Sequence, residues 1–173
     1  MKSKEKLFGL IVGFGLTSGF LSLKVNEFFT APQIDVFNVP TVNLDSADFK
    51  ISGIKGKNLI VNIWATWCAP CVKEMPYLVS LDQHLDQDRW SIVLISDEEL
   101  NKIRDFREKH QLNLQMLKAL APLKDFGIKG YPTTYVINQD GEVLFRRNGD
   151  LKLFKQEFEN SLQELGATMA SLK

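Results

Sequence analysis

Short apolar runs alternate with amphipathic stretches along most of the chain. The runs Leu59–Trp64 and Trp90–Ile95 have the length and branched composition of buried strands. Each is followed by a stretch with helical periodicity, about Cys68–His84 after the first and about Ser96–His110 after the second. The order Ser96-Asp97-Glu98-Glu99 predicts a capping box at the start of the second helix. The first half of the domain therefore consists of two β-α units.

The second half of the chain changes to a different order of elements. Leu112–Leu117 is expected to be extended, and Ala121–Phe126 to form a short helix that ends at a glycine. The segments Thr133–Ile137 and Glu142–Arg146 flank a turn and predict a β-hairpin. Leu151–Leu165 then closes the domain as an amphipathic helix.

A small hairpin over Val42–Leu44 and Phe49–Ile51 precedes these elements. The whole order is β-α-β-α followed by β-β-α, which predicts an α/β domain with a central mixed sheet and helices on both faces. Pro76 lies inside the first helix and is expected to kink it.

The N-terminal segment has a different character. Lys2, Lys4 and Lys6 precede an uncharged apolar run, 7–23, which ends at Lys24. Its length is at the short end of what spans a bilayer. A cleaved signal peptide is the alternative, but no pair of small residues at the spacing of a cleavage site follows the run.

Positive flanks of membrane spans stay in the cytoplasm. We therefore expect 1–6 to be a cytoplasmic basic flank, 7–23 a single transmembrane anchor, 24–39 a linker and 40–173 the folded domain. That domain would lie outside the cytoplasm, on the periplasmic or extracytoplasmic side of the cell (inner) membrane.

Composition places the rest of the chain among ordinary globular proteins. The 173 residues are 45% hydrophobic and 24% charged, and 21 basic residues balance 21 acidic ones. Without a basic surplus, no nucleic-acid partner is expected. The two cysteines, Cys68 and Cys71, would close a loop too short to stabilise the fold appreciably. Their value is therefore expected to be chemical.

A Cys-x-x-Cys at a strand-to-helix junction suits thiol–disulfide exchange. Unpaired N–H groups at the helix N-terminus stabilise a thiolate, so Cys68 is expected to be the nucleophile and Cys71 the resolving thiol. Half of a zinc site is the alternative, yet there is no second cysteine pair. His84 and His110 lack ligand spacing and are expected to face solvent. We therefore expect no metal and no cofactor.

Two separated motifs carry a resemblance to a known family. The stretch Asn62–Pro76, which reads NIWATWCAPCVKEMP, resembles the active-site signature of the thioredoxin superfamily. Within that superfamily it is similar to the TlpA-like and ResA-like branch of membrane-anchored extracytoplasmic redoxins. Gly130–Thr134 resembles the family's cis-proline loop. The resemblance covers about Pro40–Leu165 and implies a thioredoxin fold and a thiol–disulfide oxidoreductase.

The resemblance also implies roles for particular residues. Pro132 matches the proline that is cis in the family and faces the disulfide, where it exposes the preceding backbone to an extended substrate. Pro76 matches a structural proline of the helix, and Trp64 is expected in the core. The residues expected to contact substrate are Trp67, Ala69, Pro70, Tyr131 and Pro132.

Glu74 is a third candidate catalytic residue, after the two cysteines. Asn62 stands where thioredoxin has a buried aspartate, and an amide cannot take up a proton. Glu74 lies three residues after Cys71, on the same helical face, and a carboxyl group buried there would have a raised pKa. It could then shuttle the proton of Cys71. The alternative is a solvated glutamate, although the neighbouring Lys73 is the better surface candidate.

The expected activity is reduction of disulfides in exported proteins. The dipeptide Ala69-Pro70 holds no cation that would stabilise the Cys68 thiolate further, which favours the reducing over the oxidising direction. The resemblance suggests apocytochrome c, during cytochrome c maturation, or other exported disulfide proteins as substrates. A membrane partner with its own thiols would donate electrons.

Two alternatives to this activity stay open. A thiol peroxidase of the same fold usually places its cysteine in a Pro-x-x-x-Thr-x-x-Cys run, and the required proline is missing here. A module that only delivers copper or haem would prefer an added His or Met ligand near the cysteines. Met75 is the close candidate, and we expect it in the core.

Overall fold

The computed structural model describes residues 27, 29–54 and 56–168. Contacts divide the chain into two units, 1–30 and 31–173, and the sheet and the cysteine pair belong to the second. The predicted anchor 7–23 lies outside the described residues. Within the described ranges, no helix combines the length and the apolar character needed to cross a bilayer.

The second unit is built on a single mixed sheet. In the part of the chain that the structure describes, its strands are β1 (Thr41–Asn43), β2 (Asp48–Phe49), β3 (Asn58–Ile63), β4 (Trp90–Ser96), β5 (Gln115–Ala119), β6 (Thr133–Ile137) and β7 (Val143–Asn148). The α-helices are α1 (Ala69–His84), α2 (Leu100–His110) and α3 (Lys155–Glu164). Short 3-10 helices span Val36–Asn38, Ile51–Ile54, Leu123–Phe126 and Leu151–Phe154.

The strand order places the predicted central strand in the middle of the sheet. The order is β2-β1-β5-β4-β3-β6-β7, with β3 parallel to β4 and β4 parallel to β5. On its other side β3 pairs antiparallel with β6, which continues into the predicted hairpin with β7. The mixed sheet and both hairpins are therefore confirmed.

The two faces of the sheet are covered differently. Alternate residues of β3 separate the cores, with Ile60 on one face and Val61 on the other. The first core contains residues from all three α-helices, including Leu78 of α1, Ile103 of α2 and Phe158 of α3.

The second core lies under the segment that begins at Ala31 and under three of the 3-10 helices, represented by Val36, Ile51 and Leu123. The prediction of helices on both faces is thus correct only if 3-10 helices are counted. The connections from β3 to β4 and from β4 to β5 advance in the same direction. Right-handed crossovers therefore place α1 and α2 on one face.

The predicted capping box is wrong. Helix α2 begins at Leu100, and Glu99 occupies its N-cap without a side-chain hydrogen bond to the helix. Ser96 is instead the last residue of β4, because the parallel pairing with β5 extends through it. The closing helix also differs slightly, since its first turn, Leu151–Phe154, is 3-10 before α3 begins.

Candidate active site

The two cysteines lie at the junction between β3 and α1. Cys68 is the N-cap of α1, and its Sγ accepts a hydrogen bond of 3.3 Å from the backbone N–H of Cys71. The two residues form a disulfide with a Cα–Cα distance of 5.3 Å, ordinary for such a bond. Pro70, the second helical residue, has no backbone N–H, and a proline is well tolerated in this first turn. The Cys71 amide is the donor that bonds to the sulfur.

The cysteines differ in exposure. Cys68 retains 4% of its accessible surface, whereas Cys71 retains none. Ala69 and Pro70 between them are exposed at the tip of the helix. Of the two cysteines, the one at the helix N-terminus is therefore the one that keeps some accessible surface.

A second loop, containing the cis-proline, lies against the motif. The Tyr131–Pro132 peptide bond is cis, as expected, and Pro132 is buried. Directly after it, β6 pairs with β3 so that Thr133 is opposite Ile63. The sheet itself therefore brings the cis-proline loop beside the end of the strand that leads to the cysteines.

Aromatic side chains join the two loops at the surface. The ring of Trp67 packs edge-on against that of Tyr131, with 5.5 Å between their centroids. Trp67 is 69% exposed, which is unusual for so large an apolar side chain. Trp64, by contrast, is fully buried in the core, as predicted.

Glu74 is buried on the inner side of α1. It is 2% exposed, and each of its carboxyl oxygens accepts a hydrogen bond. Asn62 Nδ2 donates to Oε1 over 2.8 Å, and the backbone N–H of Leu151 donates to Oε2 over 3.2 Å. The prediction of a buried carboxyl group, rather than a solvated one, is confirmed, and Lys73 beside it is exposed.

Burial raises the pKa of Glu74 from 4.5 to about 7. The hydrogen bonds from Leu151 and Asn62 oppose this effect by stabilising the carboxylate, and the charge of Asp150 adds to it. Asn62 also donates to Thr134 Oγ1 over 2.9 Å, which fixes the amide between strand and helix. Near neutral pH the carboxyl group can therefore both accept and release a proton.

Glu74 also borders a cavity of about 130 Å³. The cavity is lined on its other sides by residues of α1 and of the segment that leads into α3. These include Lys73, Tyr77, Asp150 and Lys152. A buried carboxyl group at the wall of such a cavity has a short route for exchanging protons with solvent.

Two carboxylates bind the active-site loops, which the sequence analysis did not predict. Asp97 and Glu98 belong to the segment predicted as a capping box, but their side chains point to the active-site loops. Glu98 accepts hydrogen bonds from the backbone N–H and hydroxyl of Thr66, and Asp97 accepts one from the Tyr131 hydroxyl. These partners are 32 and 34 residues away in sequence, so no local pattern could have indicated them.

The remaining candidates occupy the places that the sequence predicts. His84 and His110 are exposed; His84 Nδ1 contacts the Ser80 carbonyl, and His110 stacks on Phe106. Met75 is buried in the core. Neither histidine is therefore part of the cysteine site.

This arrangement defines a class of protein: a redox-active cysteine pair at a helix N-terminus, beside a cis-proline loop, on a thioredoxin fold. Such proteins are thiol–disulfide oxidoreductases, and this chain is one of them. The sequence profile of the AhpC/TSA family matches residues 30–146, and the chain belongs to that family.

Known proteins support the same class. The chain is 29% identical to the thiol-disulfide oxidoreductase ResA of Bacillus cereus over 95% of its own length and 99% of that protein. It is 30% identical to ResA of Bacillus subtilis, over 83% and 86% of the two chains. A thiol:disulfide interchange protein from Chlorobium tepidum superposes with a TM-score of 0.55 at 26% identity, covering 72% of this chain and 94% of the other.

The residues before Cys68 bear on the alternative of a thiol peroxidase of the same fold. Counted back from Cys68 in the peroxidase pattern, Ala65 stands at the threonine position and Val61 at the proline position. Both are buried, and Val61 lies within β3. The chain thus lacks the threonine hydroxyl and the proline that the peroxidase pattern requires. It has instead a second cysteine, three residues after Cys68.

Proposed function

We propose that the protein reduces disulfides of exported proteins, with Cys68 as nucleophile. In the reduced protein, the Cys68 thiolate attacks one sulfur of the substrate disulfide and releases the other as a thiolate. Cys71 then attacks Cys68 Sγ, which frees the second substrate thiol and closes the Cys68–Cys71 disulfide. The substrate gains two electrons and two protons, and the protein loses them.

The observation that carries this proposal is the asymmetry of the cysteine pair. Cys68 caps the helix and accepts the N–H of Cys71, whereas Cys71 is fully buried. A sulfur that accepts a hydrogen bond at a helix N-terminus is stabilised as a thiolate, and a buried thiol keeps its proton.

Glu74 accepts the proton that Cys71 must lose during the reaction. Cys71 must lose a proton before it can attack, and Asn62 on the strand side cannot accept one. Glu74 lies one turn further along the same helix with a pKa raised to about 7. The ionised fraction takes the proton of Cys71 and passes it on through the adjoining cavity or to the departing substrate thiolate.

The tip of the helix favours the reducing direction. Ala69 and Pro70 are exposed and uncharged, so neither adds a positive charge beside Cys68. A thiolate that is less stabilised makes the disulfide less oxidising, because the reduced form is then less favoured. The exposed surfaces of Trp67, Ala69, Pro70 and the Tyr131–Pro132 loop form the contact area for the substrate.

We further infer where the protein works. The lysine-flanked apolar run 7–23 supports a single-pass anchor in the cell membrane, with the thioredoxin domain outside the cytoplasm. Its substrates are then exported proteins with disulfides, among them the Cys-x-x-Cys-His segments of apocytochrome c. A membrane protein with its own thiols returns the Cys68–Cys71 disulfide to the dithiol state.

The test uses the two single cysteine variants and a peptide that carries a Cys-x-x-Cys-His disulfide. Reduced Cys71→Ser is expected to accumulate a mixed disulfide with the peptide through Cys68, visible by mass spectrometry. Cys68→Ser is expected to form none, because the remaining thiol is buried. Accumulation on Cys68→Ser instead would reverse the assignment of the two sulfurs.

A peroxide assay separates the alternative activity. Wild-type protein is expected to consume hydrogen peroxide no faster than free thiols do, while it reduces the peptide disulfide. Rapid peroxide consumption without peptide reduction would establish the peroxidase in its place.

A further inference from the structure

Two consecutive carboxylates in the loop between β4 and α2 contact both active-site loops. Glu98 Oε2 accepts the backbone N–H of Thr66 over 2.6 Å, and Oε1 accepts the Thr66 hydroxyl over 2.8 Å. Thr66 directly precedes Trp67, so this pair of bonds fixes the loop that leads into the cysteine motif. Bonds of this kind to a charged acceptor are about twice as strong as neutral ones.

Asp97 binds the opposite loop. Its Oδ1 accepts the hydroxyl of Tyr131 over 3.0 Å, and its Oδ2 accepts the backbone N–H of Leu123 over 2.9 Å. The backbone of the pair is itself fixed, since Lys118 Nζ donates to the carbonyl of Glu98 over 2.9 Å. The pair is therefore a rigid support that is attached to β5 as well as to the two loops.

The two loops approach each other above this support. Trp67 follows Thr66, Tyr131 precedes the cis-proline, and the two rings are in edge-to-face contact. Together the two loops form the substrate contact area of the proposed function. The position of one loop depends on Glu98 and that of the other on Asp97, although neither residue belongs to either loop.

We propose that Asp97 and Glu98 are positioning residues for protein substrates. They set the spacing of the two loops so that an extended peptide segment lies against Trp67 and presents its disulfide to Cys68. This inference rests on the proposed reductase function. The exchange at the sulfurs does not involve the two carboxylates, so a small disulfide that does not need both loops for binding reacts at the same rate without them.

The test compares two substrates in single-turnover measurements on the reduced, full-length protein. One substrate is a peptide with an internal disulfide, and the other is the small aromatic disulfide dithiobis(nitrobenzoate). Asp97→Ala removes the bonds to Tyr131 and Leu123, and Glu98→Ala removes both bonds to Thr66. Glu99→Ala is the matched control, because it removes the same charge from an exposed neighbour.

We expect Asp97→Ala and Glu98→Ala to lower the second-order rate constant for the peptide by about tenfold, in line with loss of hydrogen bonds to a charged group. The rate constant for the small disulfide should stay within about twofold, and the control should match wild type with both substrates. A merely structural role would slow both reactions together.

Three outcomes would count against the inference. Equal losses with the peptide and the small disulfide, or no loss with the peptide, would overturn it while the reductase function stands. A wild-type protein that reduces the small disulfide but not the peptide would overturn the proposed function and the inference with it. If Glu98→Ala does not fold, Asp97→Ala decides, since it removes the support of the other loop and leaves the bonds to Thr66 in place.

Discussion

Replacing Glu74 with glutamine should change how the stability of the protein depends on pH. The carboxyl group has a pKa near its ordinary value of 4.5 in the unfolded chain and of about 7 in the folded protein. The folded state therefore binds the proton more tightly. Its stability is complete below about pH 4.5 and falls as the pH rises through about 7, because the ionised group is then buried.

The size of the effect follows from the difference between the two pKa values. A tenfold change in proton affinity is worth about 1.4 kcal/mol, so a rise from 4.5 to about 7 corresponds to roughly 3 kcal/mol. Glutamine has nearly the same shape and does not titrate. The free energy of unfolding of Glu74→Gln minus that of wild type should thus increase by roughly 3 kcal/mol between about pH 4 and about pH 8.

Urea denaturation of the oxidised proteins measures this difference at intervals across that pH range. Lys73→Gln is the control, since Lys73 is exposed one residue away, and its difference from wild type should vary little with pH. If the Glu74→Gln difference is flat across the range, Glu74 is not a buried titrating group, and the proton route through it fails.

Four further outcomes are expected. Glu74→Gln should slow resolution of the mixed disulfide and flatten its pH dependence near about pH 7, whereas Lys73→Gln should not; overlaid pH–rate profiles would show that water alone serves Cys71. Asn62→Ala removes a hydrogen bond that lowers the pKa of Glu74, so the same profile should move to higher pH, and a move to lower pH would contradict the contact. Leu78→Ala should cost about 2–5 kcal/mol in urea denaturation, because Leu78 is fully buried, and a loss under about 1 kcal/mol would mean that the core collapses around it. Intact-mass measurement of native protein from the membrane fraction should give the uncleaved chain, and an N-terminus between 22 and 30 would show a cleaved signal instead.

Patterns of neighbouring residues correctly predicted the central strands and the shared face of the first helix. The branched apolar runs gave β3 and β4, and the spacing from Cys71 to Glu74 predicted a shared helical face. Burial of Glu74 could be predicted because a residue three positions after a buried one lies on the same side of a helix.

Long-range contacts explain what the sequence did not predict. Ser96 and Glu99 have the spacing of a capping box, yet pairing with β5 keeps Ser96 in the strand, and Glu98 binds Thr66 instead. The position of α2 on the same face as α1 depends on the order of strands in the sheet, which spacing along the chain does not reveal. These hydrogen bonds and strand pairings join residues that are far apart in the chain, so they follow from the tertiary fold and not from local spacing.

Because of the pairing of β3 with β6, the spacing of the two active-site loops and the driving force for electron transfer depend on different parts of the chain. Ile63 and Thr133 are neighbours in the sheet, so the distance from the motif to the cis-proline loop is set by backbone hydrogen bonds. Ala69 and Pro70 lie beyond that ladder, exposed at the helix tip. New dipeptides can be exchanged there to retune the driving force for electron transfer, while the sheet keeps the distance between the motif and the cis-proline loop unchanged.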